Sequence, residues 1–206
     1  ANGVQTKGGS SNIVIERCRF ENFGGRGVNI GGSKGLPYIP PRDATYEAKN
    51  ITVQDCEFIG GMAAVAFVGV DGALVQHNTI YRPKRWPIRI LQQNTDERFA
   101  TWRNGKLVKN VIVFRSDEVR QVFNIGPNTS PETFTLSGNV WSCLDRPEAT
   151  KRMVNAPVAE TDGAYGAAPT FKDAANNDVH ILDRQPMDAG VGDKPSPVDA
   201  ANGRGV

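Results

Sequence analysis

One short phrase recurs along this 206-residue chain and restricts what it can fold into. Asn12-Ile13-Val14-Ile15-Glu16-Arg17-Cys18-Arg19-Phe20 returns as Asn50-Ile51-Thr52-Val53-Gln54-Asp55-Cys56-Glu57-Phe58. More divergent copies are Gly72-Ala73-Leu74-Val75-Gln76-His77-Asn78-Thr79-Ile80 and Thr133-Phe134-Thr135-Leu136-Ser137-Gly138-Asn139-Val140-Trp141. A fixed period of this kind means one structural unit stacked on itself, burying between neighbours a face that no single unit could bury alone.

Anchors at Asn12, Asn50, Gly72, Asn110 and Thr133 give intervals of 38, 22, 38 and 23 residues. Two intervals are bare rungs, and two carry an insert. Each rung reads as short alternating strands, without a helical period. Ile13/Ile15, Ile51/Val53, Ala73/Val75, Val111/Val113 and Phe134/Leu136 are expected to point inward, with Val14, Thr52, Leu74, Ile112 and Thr135 outward. A second strand follows at Phe20, Phe58, Ile80 and Trp141, and a third at 27–30, 65–68, 86–90 and 122–125. Three strands per rung at this length describe an all-β, right-handed parallel β-helix of four to five rungs. A leucine-rich repeat would need a Leu-x-x-Leu-x-Leu frame that is absent. At the first bend an inward small or polar residue recurs, Cys18, Cys56, Asn78, Ser116 and Asn139, suited to hydrogen bonding between rungs. Cys18 and Cys56 are then stacked, either as reduced thiols or as a rung-to-rung disulfide; Cys143 has no partner in this scheme.

The Asn-hydrophobic-x-hydrophobic-x-x-Cys/Asn-x-Phe/Ile phrases and Gly-rich turns such as Phe23-Gly24-Gly25 resemble the right-handed β-helix repeat proteins of the pectate-lyase-like superfamily. The resemblance covers residues 10–143 and implies a secreted, periplasmic or cell-surface protein. It also implies activity on polysaccharide, as a lyase or glycoside hydrolase, or a non-catalytic adhesin or structural role. No catalytic set of a particular enzyme family maps onto numbered positions. The rungs are assigned to 1–143, and an irregular segment packing on the solenoid to 144–206. A helical turn is expected within 145–156, then a return along the outside anchored by Phe171, Val179, Ile181 and Leu182. Asp188-Ala189-Gly190 resembles a closing segment of bacterial β-helix proteins.

Net charge is +2, so no global field draws the chain to nucleic acid or anionic lipid. No apolar run approaches the roughly 18 residues of a membrane span. Ala1 follows neither a Met nor an apolar signal segment, which reads as a processed or excised chain. The open first rung is expected to be covered by preceding residues or another chain.

The inserts, near 33–48 and 92–106, fall on one side of the stack and carry the functional signal. Tyr38, Arg42, Trp86, Arg98, Phe99, Trp102 and Arg103 are candidates for sugar contact, since rings stack on sugars and guanidiniums pair with uronates. An alternative for Tyr38, Phe99 and Trp102 is simple anchoring of the inserts. Arg82, Lys84, Arg85, Trp86 and Arg89 form the densest basic cluster, on a third-strand ladder of Asn29, Ala66, Arg89 and Asn124 expected to be exposed. This cluster fits an acidic polysaccharide. A lyase needs a base and a cation for the developing enolate, for which Arg85 and Arg89, with Ca²⁺ on Asp43 or Glu47, are the candidates. A hydrolase needs paired carboxylates, drawn from Asp43, Glu47, Asp96 and Glu97. His77 reads as a surface residue beside a turn.

Overall fold

The computed structural model describes residues 1–33, 35–39, 45–94, 96–99, 101–166 and 168–183. Strand β1 (Val4–Thr6) leads into the first rung, β2 (Ser10–Glu16), β3 (Arg19–Glu21) and β4 (Arg26–Gly31). The second rung is β5 (Ala48–Gln54), β6 (Glu57–Ile59) and β7 (Ala63–Val68); the third is β8 (Val70–Gln76), β9 (Thr79–Tyr81) and β10 (Trp86–Leu91). The fourth is β11 (Arg103–Val108), β12 (Val111–Phe114) and β13 (Phe123–Ile125), and the fifth contains β14 (Thr135–Ser137) and β15 (Val140–Cys143). After α1 (Thr150–Met153), β16 (Glu160–Thr161) and β17 (Ala164–Tyr165) extend two of the ladders.

Corresponding strands pair in parallel. Sheet A runs β1-β4-β7-β10-β13, sheet B β16-β14-β11-β8-β5-β2 and sheet C β17-β15-β12-β9-β6-β3. The three sheets wind into a right-handed parallel β-helix. One cluster fills its interior, including Val28, Ile51, Val53, Phe58, Val65, Val75, Ile80, Ile88 and Ile112. Repeating inward positions place like on like, and Phe20 stacks on Phe58 with ring centroids 4.9 Å apart.

The fourth rung corrects the expected register. Its sheet B strand starts near Asn104, not Asn110. Gly105 pairs with Ala73 and Leu107 with Val75, while Val111, Ile112 and Val113 pair with Thr79, Ile80 and Tyr81 in sheet C. The in/out assignment there is therefore reversed. Ile112 points into the core, and Val111 and Val113 lie outside it beneath the C-terminal hairpin. The second insert is correspondingly shorter and ends before Arg103.

The bend between sheets B and C explains why polar residues recur there. Arg17, Asp55, His77, Lys109 and Gly138 all have φ between 51° and 64°. The following residue points inward and accepts the backbone N–H of its counterpart one rung earlier. Cys56 Sγ accepts from Cys18 N at 3.4 Å, Asn78 Oδ1 from Cys56 N at 2.9 Å, Asn110 Oδ1 from Asn78 N at 3.0 Å, and Asn139 Oδ1 from Asn110 N at 2.9 Å. Glu160 Oε1 takes the same role for Asn139 N at 2.8 Å and ends the series. Asn110, not Ser116, is thus the fourth member; Ser116 instead bonds to Asp145 through its backbone N at 2.8 Å. Cys18 and Cys56 are free thiols, and burial pushes Cys56 up to about 12.

The tail folds back as a hairpin, β18 (Phe171–Asp173) and β19 (Asp178–Ile181). Val179, Ile181 and Phe171 pack over the outer side of sheet C against Val111, Val113, Val140, Ile59 and Tyr81. Leu182 is 58 % exposed and is not an anchor. Asn177 at the hairpin tip reaches the first rung, donating from Nδ2 to Glu21 Oε1 at 2.6 Å, while its carbonyl accepts from Arg19 at 2.8 Å. Asp188, Ala189 and Gly190 lie outside the described residues. No described helix is long and apolar enough to cross a membrane.

Candidate functional site

The third strands place two outward ladders side by side. Gln5, Asn29, Ala66, Arg89 and Asn124 occupy one, and Arg26, Ala63 and Trp86 the other. Arg26 precedes Asn29 by three positions, as Trp86 precedes Arg89. Counting in register along the repeat therefore finds Arg26, which local charge density misses. Rungs one and three are separated by about two strand spacings, close to 10 Å. Ala63 and Ala66 of the intervening rung form a small floor between large side chains. They are fully buried, as is Asn29. This ladder was expected to be exposed; Asn29 and Ala66 instead lie beneath their bulkier neighbours.

Three guanidiniums gather here. Arg85 Cζ lies 4.4 Å and Arg89 Cζ 4.2 Å from the centroid of the Trp86 ring. Arg89 Nε also donates to Asn124 Oδ1 at 2.9 Å. Burial first, then the neighbouring charges of Arg26 and Arg85, hold the Arg89 pKa below the usual range, and burial does the same for Arg26. None of the three makes an ion pair with a described carboxylate. The N–H groups at Arg26 Nε and Trp86 Nε1 are buried without an acceptor among the described residues, and Asn29 Oδ1 is buried without a donor. Packed like charges and buried, unsatisfied donors both favour an incoming anion. Trp86 is only 8 % exposed, so the guanidiniums leave no ring face for a sugar. Its contribution is to hold Arg85 and Arg89 by cation–π contact.

The inserts meet beside sheet A. Ile39 and Phe99 are buried against each other, with Tyr46 packed on the pair. Gly31, where the chain leaves β4, has φ +93°, and a Cβ there would collide with the Val68 carbonyl. Trp102 belongs to the solenoid core. It stacks on Phe134 with centroids 4.8 Å apart and meets Phe67 edge-on, and a Cβ at Gly105 would fall 2.7 Å from its ring. Phe99 and Trp102 therefore anchor, whereas Tyr38 is 73 % exposed on the 3₁₀ turn Leu36–Tyr38.

The remaining candidates separate. Arg103 lies on sheet B, paired to Asp71 at 2.9 Å. Arg98 clasps Asp96 through two hydrogen bonds of 3.0 and 2.8 Å, which holds Asp96 down at about 2; Glu97 is exposed. Glu47 is fully buried, its Oε2 accepting from Gly8 N at 3.0 Å. Arg42 and Asp43 lie outside the described residues. Among the described residues no three His, Cys, Asp or Glu side chains converge as a metal site. His77 belongs to the left-handed bend series.

Comparison of the chain with protein-family models, with curated proteins and with solved structures returns no significant match.

Proposed function

We propose that the protein recognises an acidic polysaccharide on the outer face of sheet A, beside the paired inserts. The carrying observation is the Arg26–Arg85–Arg89 group around Trp86, which has no ion pair to a described carboxylate. A uronate or sulfate group would meet the partly desolvated guanidiniums of Arg26 and Arg89, with Arg85 held over Trp86 beside them, which strengthens charge-assisted hydrogen bonds. Tyr38, exposed on the first insert, offers a ring to a neighbouring sugar. Secretion or a cell-surface location accords with such a ligand.

Binding without turnover, in an adhesin or structural module, accounts for the described carboxylates better than hydrolysis. Asp96 is engaged by Arg98, and Glu47 is buried away from solvent. A lyase would take Arg89 or Arg85 as its base and a cation such as Ca²⁺ near Asp43 or Glu47.

A panel of acidic and neutral glycans, probed with and without Ca²⁺, tests the reading. Selective binding of acidic glycans is expected. Arg89→Ala and Arg26→Ala are each expected to weaken it about 10- to 100-fold, the loss of one charge-assisted contact of about 1.5–3 kcal/mol. Equal binding of neutral glycans, or unaltered affinity in both variants, refutes the assignment. Unsaturated product absorbing in the ultraviolet would move it from binding to lyase activity.

A further inference from the structure

A cleft opens on the far side of the turn that carries Arg85. It has a volume of about 250 Å³ and lies between sheet C and the C-terminal hairpin. That is below the ~300–1,000 Å³ of sites for drug-sized molecules and leaves room for a single sugar. Ile59 and Tyr81, register partners at the ends of β6 and β9, line its base. Tyr81 is held there edge-on to Phe171 of the hairpin, with ring centroids 5.3 Å apart. Ala174, Ala175 and Asn177 form the hairpin wall, which Asn177 pins to the first rung through Glu21 and Arg19.

The opposite wall is the turn from β9 to β10, Arg82-Pro83-Lys84-Arg85. Its backbone is pinned to both neighbouring rungs. Lys84 N donates to Gly61 O at 2.7 Å, Arg82 N to Val113 O at 2.8 Å, and Arg85 O accepts from Arg120 N at 3.1 Å. Arg82 forks onto Glu118 through Nε at 3.1 Å and Nη2 at 2.5 Å, so these two charges cancel. Lys84 also lines the cleft and makes no ion pair among the described residues. The cleft therefore carries one uncompensated positive charge. Asn22, exposed at the rim, adds an amide, and the Glu118 carboxylate keeps lone pairs beyond those facing Arg82. Acceptors set beside a free cation suit an anion that bears hydroxyl groups.

We infer that this cleft is a second subsite for the acidic glycan, holding one acidic sugar of a chain whose next acid lies on Arg85, Arg89 and Arg26. The inference rests on the glycan reading above. Lys84 and Arg85 are consecutive, so their Cα atoms are about 3.8 Å apart. Yet Lys84 lines the cleft, while Arg85 lies over Trp86 on sheet A. The turn thus divides its charges between two faces of the solenoid. A single acid engages one face only, whereas a polymer with repeated acids can bend over the turn and engage both. Tethered contacts of this kind raise affinity without a stronger contact at either subsite. Because the turn is pinned, the two subsites keep their separation, and the length of the ligand decides whether both are filled.

Isothermal titration with size-fractionated oligogalacturonates and sulfated oligogalactans tests this. Affinity is expected to rise at least about 10-fold once the oligomer is long enough to span both subsites. Ala175→Glu sets an opposing carboxylate in the cleft wall from an exposed position. It is expected to abolish that gain and to leave the affinity of the shortest binding oligomer unaltered. Lys84→Ala is expected to reduce the gain about 5-fold, the effect of one exposed charge contact. Hydrogen exchange on the unaltered protein gives a second reading: the amides of 174–177 are expected to slow with long oligomers and not with short ones. Arg89→Ala separates the two claims, since it weakens oligomers of every length if the sheet A site is right. That weakening, together with an intact length gain in Ala175→Glu and unchanged hairpin exchange, overturns the cleft alone. Absence of binding by both series overturns the glycan reading and the cleft with it.

Discussion

Replacing Asn110 by Ala tests the central claim about how the rungs are held together. The Asn110 side chain is fully buried, and Oδ1 accepts from Asn78 N at 3.0 Å and from Asn78 Nδ2 at 2.9 Å. Its Nδ2 donates to Val75 O at 2.9 Å, Val108 O at 3.1 Å and Asn139 Oδ1 at 2.9 Å. Alanine leaves the Asn78 backbone N–H without an acceptor in a dry interior, at about 1–3 kcal/mol, and removes further bonds each worth about 1 kcal/mol net. The expected cost is about 3–5 kcal/mol, measured as the shift in urea denaturation followed by circular dichroism. Gln54→Ala is the control on the outer face of sheet B. It breaks bonds of 2.9 Å to Glu16 and 3.0 Å from Gln76, where water can replace both partners, and is expected to cost less than about 1 kcal/mol. Equal losses for the two variants would show that the buried series does not hold the stack, and would refute the reasoning.

Glu160→Gln keeps one acceptor but cannot satisfy Asn139, Trp141 and Tyr165 together; a loss of about 2–3 kcal/mol is expected by the same denaturation assay. Iodoacetamide at pH 8 is expected to label Cys18 and to spare Cys56, whose burial pushes its thiol up to about 12, and Cys143, which burial also raises; labelling of all three in the folded protein, read by intact mass, would contradict the packing. Burial, reinforced by Glu160, raises Tyr165 from 10.0 to about 12. The folded state therefore holds this proton more tightly than the unfolded chain. The associated stability is full below pH 10 and declines as pH rises through about 12. Tyr165→Phe is expected to flatten that decline in thermal melts across this range, and an unchanged slope would exclude the assignment.

The period, the three strands per rung and the inward ladders were legible because a parallel stack puts equivalent residues on one another. Ile13, Ile51, Ala73 and Phe20, Phe58, Ile80 had to recur in type. The reading failed where local chemistry offered two equivalent frames. Asn110-Val111-Ile112-Val113 matches the repeat anchor as well as the true frame does. The correct strand, Arg103–Val108, looks less like its equivalents because Gly105 stands where others have an apolar side chain. Trp102 and Phe134 fill that space from neighbouring positions, a fact of packing that no local pattern carries.

The candidate site divides in the same way. Sequence alone located the basic cluster around Trp86 and the two inserts on one side, since charge density and ladder position follow from the order of residues. Only the tertiary structure decided which members act together. It brought Arg26 from two rungs away to Arg89, sent Arg103 to another sheet, drew Trp102 into the core and locked Asp96 to Arg98. The physical reason is that periodicity fixes which face a residue occupies. Whether it stays exposed, finds a counter-charge or is covered depends on side chains far away in the chain, brought close only by winding.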